Sequence, residues 1–395
     1  MLNIIDRAKN IENEIINWRR ELHQIPEVGL NLPQTAKYIT AQLDKMGIEY
    51  HTLVKGNAIV GLIKGNGKGK TIGLRADIDG LPVKEETGLD FQSTNGNMHA
   101  CGHDGHAAIL LGAAKILNEN RDKFRGNVKL LFQPGEEYPG GAKPMIEEGA
   151  MESPKVDAVM GLHLGNLGKG IPTGKIGVCY GAMMAAVDVM HIKIKGKGAH
   201  GAYPHQSIDP IVIASEVVLA LQTIVSREIN PVEPAVVSVT RIEGGFNHNI
   251  IPDIVEIQGT IRTLNESTRH RIAKRIEEIV KGITMAHGGS YEYKYEYCYP
   301  ALVNSEEFTK TFVESAKKIV SEEDIVEMKT PVMGAEDMSF FLREAPGTFF
   351  YLSNPREIDG QYYPHHNPKF DIDESQLWKG VALVLQGTID WLNKN

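Results

Sequence analysis

Apolar positions near the start of the chain step by four and three: Ile4, Ala8, Ile11, Ile15, Trp18 and Leu22. That spacing keeps one helix face apolar and predicts a single amphipathic helix packed on a larger body. Farther along, short apolar runs alternate with helical patterns. Residues 58–63 and 71–76 read as strands joined by the turn Gly65-Asn-Gly-Lys-Gly69. Residues 105–118 read as a helix of small residues, and 128–133 and 158–163 as buried strands. One of these strands runs straight into Pro134-Gly-Glu-Glu137, and another ends in His163. Strand, polar residue at its carboxyl end, then helix is the rhythm of an open α/β sheet, which binds ligands at that edge.

The rhythm then changes. Residues 188–195 alternate as a strand, 209–229 form a long helix, and 235–243 and 254–263 are strands. Residues 266–287 form a helix capped by Asn265, and 291–299 alternate Tyr with charged residues as a half-exposed strand does. The order β-α-β-β-α-β is a ferredoxin-like unit. The expected architecture is an α/β catalytic domain with a mixed, mostly parallel sheet flanked by helices. A ferredoxin-like α+β domain interrupts it, so residues 1–181 and 300–395 are catalytic and 182–299 are inserted. An exposed edge strand and an amphipathic helix on the insert offer a self-pairing surface, which predicts a homodimer, with a tetramer as the alternative.

Composition narrows the picture. The chain has 395 residues, 42 Lys+Arg against 50 Asp+Glu, and a formal net charge of −8. A nucleic-acid or anionic-membrane binder needs a basic surface, so neither partner is expected. The three cysteines, Cys101, Cys179 and Cys298, are odd in number and irregularly spaced. They fit a reducing compartment rather than a disulfide framework. Charges run through the first segment, and no apolar run is seen to approach ~18 residues. A cytoplasmic protein without signal or membrane span is the expectation.

The densest chemistry is Met98-His-Ala-Cys-Gly-His-Asp-Gly-His106, in which Cys101 and His103 flank one residue and can reach one site. A thiol and histidines this close are what a transition metal requires, although a His can also cap a helix and a Cys can be core. In Gln133-Pro-Gly-Glu-Glu137 the adjacent carboxylates point apart, so one can bind a metal while the other works on water. His163 ends a strand, and His365 and His366 sit together in Tyr363-Pro-His-His-Asn-Pro-Lys-Phe-Asp371. Asp77 and Asp79 alternate onto one face, where Asp79 can orient a ligand or the catalytic Glu. Each is unremarkable alone; four segments supplying His, Cys and Glu to one sheet edge are not. The Gly-rich Gly65–Gly69 stretch lies between strands and is no dinucleotide fingerprint.

The motifs R-A-D-I-D-G-L-P, H-A-C-G-H-D-G-H, Q-P-G-E-E, G-L-H-L-G and H-H-N-P-K-F-D resemble those of the di-metal amidohydrolases of the aminoacylase/carboxypeptidase superfamily. The branch is the one holding hippurate hydrolases, N-acyl-amino-acid amidohydrolases, auxin-conjugate hydrolases and thermostable carboxypeptidases. The resemblance runs from about Trp18 to about Trp391. It implies metal-dependent hydrolysis of N-acyl amino acids of the N-acetyl or N-benzoyl type. It assigns Cys101, His103, Glu137, His163 and His366 to two divalent ions, Glu136 to the general base, and Asp79 to steering the site. Asp77 stands where the wider superfamily has a metal-binding His, and Cys101 where it has an Asp, so Zn, Mn, Co and Ni all remain open. The insert is similar to that family's dimerisation domain. There the His matching His200 stabilises the reacting carbonyl oxygen of the partner subunit's site, and the positions of Asn249 and Arg262 hold the substrate's backbone end. A guanidinium fork suits a carboxylate. A carboxypeptidase or dipeptidase, or an N-acetyl-diaminopimelate deacetylase, is the alternative on the same site. A non-catalytic metal-dependent binding protein would require a broken catalytic set, and this set is intact.

Overall fold

The computed structural model describes residues 3–167 and 170–395. The chain divides into two compact units. The first comprises Met1–Met183, Val303–Thr330 and Asp337–Asn395; the second comprises Met184–Leu302 and Pro331–Glu336.

The first unit is built on an eight-stranded sheet. Its spatial order is Glu49–Leu53, Ala58–Lys64, Asn127–Gln133, Thr71–Asp77, Ala158–Gly165, Gly347–Ser353, Ile176–Val178, Ile325–Glu327. The four central strands are mutually parallel. The outer pairings of Ala58–Lys64 and of Gly347–Ser353 with Ile176–Val178 are antiparallel. The central strands are buried along their length, as strands covered on both faces are. The helices His103–Glu119 and Leu377–Lys394 pack on the sheet, and Glu12–His23, Pro33–Met46 and Glu306–Ala316 pack on these two or beside them. One core results, from Ile15 and Leu22 through Ile109 and Leu131's neighbours Leu130 and Phe132 to Val381 and Leu385.

The N-terminal apolar stripe is interrupted. Ile11 leaves helical geometry (φ −107, ψ 12) and divides the expected helix into Ile4–Asn10 and Glu12–His23. Ile4, Ala8, Ile15, Trp18 and Leu22 still face the core, so burial preserves the stripe where backbone regularity fails.

The second unit has a four-stranded antiparallel sheet ordered Ala235–Gly244, Ile254–Thr263, Ala186–Lys195, Ser290–Tyr299. The helices Pro210–Thr223 and Glu266–Ala286 cover one face. The Asn265 side chain accepts from Ser267 N at 2.8 Å and caps the second helix. Residues Pro331–Glu336 belong with this unit, although the sequence reading places them in the catalytic domain. The cause is a backbone contact: Ala185 N donates to the carbonyls of Val332 and Gly334 at 3.1 and 2.9 Å. A second expectation also needs correcting. The helical stretch Pro210–Glu228 is long and apolar enough by composition to cross a membrane. One side, with Ile213, Ala214, Val217 and Leu221, packs in this unit's core; the other leaves Ile211, Val212 and Leu219 exposed.

Candidate metal centre

The carboxyl ends of the parallel strands carry the polar groups. Thr71–Asp77 delivers Asp77 and, just beyond it, Asp79; Asn127–Gln133 leads to Glu136 and Glu137; Ala158–Gly165 carries His163. Cys101 and His103 lie at the start of the helix His103–Glu119. Gly102 takes the left-handed conformation there (φ +87), which a side chain would resist. The C-terminal loop reaches the same edge through His366 N, which donates to Ala100 O at 2.8 Å.

Asp79 organises the cluster. Its Oδ1 accepts from Glu136 N at 3.0 Å and its Oδ2 from Glu137 N at 3.2 Å, while its backbone carbonyl receives His103 Nδ1 at 3.0 Å. A carbonyl only accepts, so Nδ1 carries hydrogen and Nε2 is turned inward. That Nε2 is buried without a hydrogen-bond partner among the described residues. His163 repeats the device: Nδ1 donates to Leu164 O at 2.7 Å, and Nε2 faces Cys101 Sγ at 3.5 Å. Fixing one imidazole nitrogen to aim the other is how proteins prepare histidine ligands.

Three sets of donor atoms lie within 4.8 Å of one another: Cys101, Glu137 and His366; Cys101, His163 and His365; and His103, Glu136 and Glu137. His366 Nε2 stands 2.9 Å from Glu137 Oε1. His365 instead directs Nε2 to Leu164 O at 3.1 Å and lies against Phe370, its ring pushed down to about 4 chiefly by burial. Of the adjacent pair, His366 places Nε2 beside the Glu137 carboxylate, whereas His365 keeps only Nδ1 for the set with Cys101 and His163. The His366 backbone is left-handed (φ +66), a costly conformation for a histidine, which turns the two rings to different surroundings. Asp77, His103 and His106 also cluster, but His106 has both nitrogens committed. Nδ1 bonds Asp77 Oδ1 at 2.5 Å and Nε2 accepts from Leu164 N at 2.9 Å.

The charge pattern calls for cations. Burial, then Glu137, Glu136 and Asp77, push the Cys101 thiol well above its ordinary range. Burial opposes protonation of His103, yet Asp77 and Asp79 hold it up to about 10. A thiol, imidazoles and carboxylates crowded together, with an orphaned buried nitrogen, fit divalent metal.

The remaining predicted residues lie in the second unit. His200 is exposed on the two-residue strand Ala199–His200, paired with Ile250–Ile251, and its Nδ1 accepts from Ala202 N at 3.0 Å. Asn249 is exposed on the same ribbon, its carbonyl accepting from Gly201 N at 2.8 Å. Arg262 is half-buried on Ile254–Thr263, donating to Thr260 Oγ1 and, at 3.1 Å, to Ile261 O. Sequence reading missed Arg75, Gln133, His106 and Asp337 as a group. A charged residue inside a wholly buried strand was the available signal for Arg75; nothing local marks Asp337.

A parallel sheet whose carboxyl edge gathers such donors around a paired Glu defines a metal-dependent hydrolase. Residues 73–387 match peptidase family M20/M25/M40. The chain belongs to that family. It is 42% identical to thermostable carboxypeptidase 1 of Saccharolobus solfataricus, over 100% of both chains. It is 47% identical to an N-acyl-L-amino acid amidohydrolase of Geobacillus stearothermophilus, over 75% of this chain and 80% of that one. A solved dinuclear metal binding peptidase of Bacillus subtilis superposes with a TM-score of 0.82 at 32% identity, covering 97% of this chain and 99% of that one.

Proposed function

We propose that the protein hydrolyses the amide bond of N-acyl amino acids of the N-acetyl or N-benzoyl type, releasing a carboxylate and the free amino acid. The observation that carries this reading is the Asp79 carboxylate, which fixes the amides of both Glu136 and Glu137 while its carbonyl fixes His103. One Glu is thereby aimed for proton transfer and its neighbour for coordination. Relatives named as amidohydrolases and deacetylases support the substrate class.

In this reading Cys101, His103, Glu137, His163 and His366 hold two divalent ions, drawn from Zn, Mn, Co or Ni. Such a pair supplies Lewis-acid polarisation of the acyl carbonyl and acidifies water toward neutral pH. Glu136 takes the proton of the attacking water and passes it to the leaving nitrogen. His200 of the partner subunit donates to the developing oxyanion, and Asn249 and Arg262 hold the substrate's free carboxylate. The working form is a cytoplasmic homodimer. It is supported by the edge strand Ala235–Gly244 and the exposed apolar face of the helix Pro210–Thr223.

Glu136→Gln is expected to abolish turnover of N-acetyl and N-benzoyl substrates while leaving bound metal unchanged. Substantial remaining turnover refutes the base assignment. Relatives named as carboxypeptidases favour a second reading, cleavage of short peptides on the same site. Dipeptides run beside the acyl series decide between them.

A further inference from the structure

Beneath the candidate centre runs a chain of buried polar groups that the reading above does not use. Arg75 lies inside the strand Thr71–Asp77, and its guanidinium reaches at least three partners. Nε donates to Gln133 Oε1 at 2.8 Å, Nη1 to Asp77 Oδ2 at 2.8 Å, and Nη2 to Asp337 Oδ1 at 3.0 Å. Each partner then grips a different part of the site. Asp337 Oδ2 accepts from Gly141 N and Ala142 N, both at 3.0 Å, and both its oxygens receive Gln133 Nε2 at 2.8 Å. Asp337 therefore ties together the two ends of the loop that carries Glu136 and Glu137. The loop has no slack: a Cβ on Gly141 would lie 1.7 Å from Pro134 O. On the other side, Asp77 Oδ1 bonds His106 Nδ1 at 2.5 Å, and His106 Nε2 receives Leu164 N at 2.9 Å, immediately after His163.

We propose that Arg75, acting through Asp337 and Asp77, is a positioning residue that sets the Glu136 loop and the His163 strand end in register with each other. The proposal rests on the reading of Glu136 as base and His163 as ligand. Arg75 and Asp337 are 4% and 0% exposed and bond protein groups that lead to the site, so their influence runs through the groups they hold. The three bonds leave three different nitrogens of one rigid plane; an ammonium also has three donors, but all on a single atom, so it does not span acceptors spaced in this way. Misplacing a reacting group by about 1 Å costs on the order of a hundredfold in rate.

The test uses the full-length, metal-loaded enzyme. Arg75→Lys keeps the charge and removes the fork, and Asp337→Asn keeps the shape and removes part of the accepting capacity. Both are compared with wild type for kcat, KM, metal bound per chain and thermal midpoint. Arg75→Lys is expected to lower kcat by about a hundredfold, with KM within about threefold and metal content retained. Asp337→Asn is expected to lower kcat in the same pattern, and it carries the test alone if Arg75→Lys fails to fold. The proposal is overturned if both variants keep kcat within about threefold of wild type. It is also overturned if the loss of kcat follows lost metal or lost folded protein in proportion, which marks the chain as purely structural. Glu136→Gln run alongside separates the two readings. Activity surviving in it sinks the base assignment; an inactive Glu136→Gln with normal Arg75→Lys and Asp337→Asn sinks the positioning role alone.

Discussion

The Cys101 thiol is held protonated by burial first and then by the carboxylates of Glu137, Glu136 and Asp77. His163 is in the opposite condition: burial, then His106 and His365, keep its imidazole neutral, the state that binds metal. His103 carries a proton up to about 10 because Asp77 and Asp79 outweigh its burial. Its folded value lies above the unfolded one, so its charge stabilises the metal-free fold fully below the ordinary histidine range, and this is lost as pH rises through about 10. On the proposed ligand set, metal displaces protons from both Cys101 and His103. Apparent metal affinity is expected to fall as pH is lowered from 8 to 6, by up to about a hundredfold per pH unit at two displaced protons. Competition with a chromogenic chelator across that range measures it; a flat profile refutes the proton-displacement account.

At the scale of elements, the candidate site depends on strand ends and on what braces them. Arg19, on the helix Glu12–His23, donates to Asp104 and Asp371 at 2.7 Å each and to Glu374 at 3.2 Å, and it is 1% exposed. His23, one turn later, bonds the same Asp104 at 2.7 Å. The N-terminal helix thus braces both the residue beside His103 and the end of the His366 loop. Arg19→Met leaves Asp104 with His23 and Asp371 with Arg356 but removes the cation the two buried carboxylates share, and is expected to destabilise the catalytic unit by about 2–3 kcal/mol. Urea unfolding of the metal-free protein measures it, and a loss under about 1 kcal/mol contradicts the bracing role. This network also shows where sequence legibility stopped. Cys101, His103 and the Glu136–Glu137 pair were readable because their spacing is local and their strands are continuous apolar runs. Arg19, Arg75 and Asp337 were not, because each acquires its meaning from partners scores or hundreds of residues away. The break at Ile11 was hidden for a related reason: apolar spacing reports which face is buried, not whether the backbone stays regular.

At the scale of the molecule, the inserted unit leaves Leu219 71%, Val232 86% and Phe246 80% exposed. Its sheet ends on one side in Ala235–Gly244, whose outer backbone groups lack a neighbouring strand in that sheet. Large apolar side chains beside an open strand edge make a surface that a second copy can cover. For the proposed homodimer, Leu219→Glu is expected to yield monomers in sedimentation and, with His200 withdrawn, a kcat reduced at least tenfold at unchanged metal content. A monomeric variant of full activity would remove His200 from the reaction.

The Arg19–Asp371 pairing spans 352 positions of sequence, and His366 lies beyond the whole inserted unit. The insert is made of consecutive, mutually paired strands and can close on itself as it leaves the ribosome, since domains fold as units during synthesis. The catalytic unit cannot. Until residues 366–374 have been translated, Arg19 waits without Asp371 and Glu374, and Cys101 and Glu137 lack the neighbouring His366. On the proposed ligand set, metal capture is completed only after residue 366 has been made, and a nascent polypeptide stalled after the insert would present a folded appendage on an unfinished core.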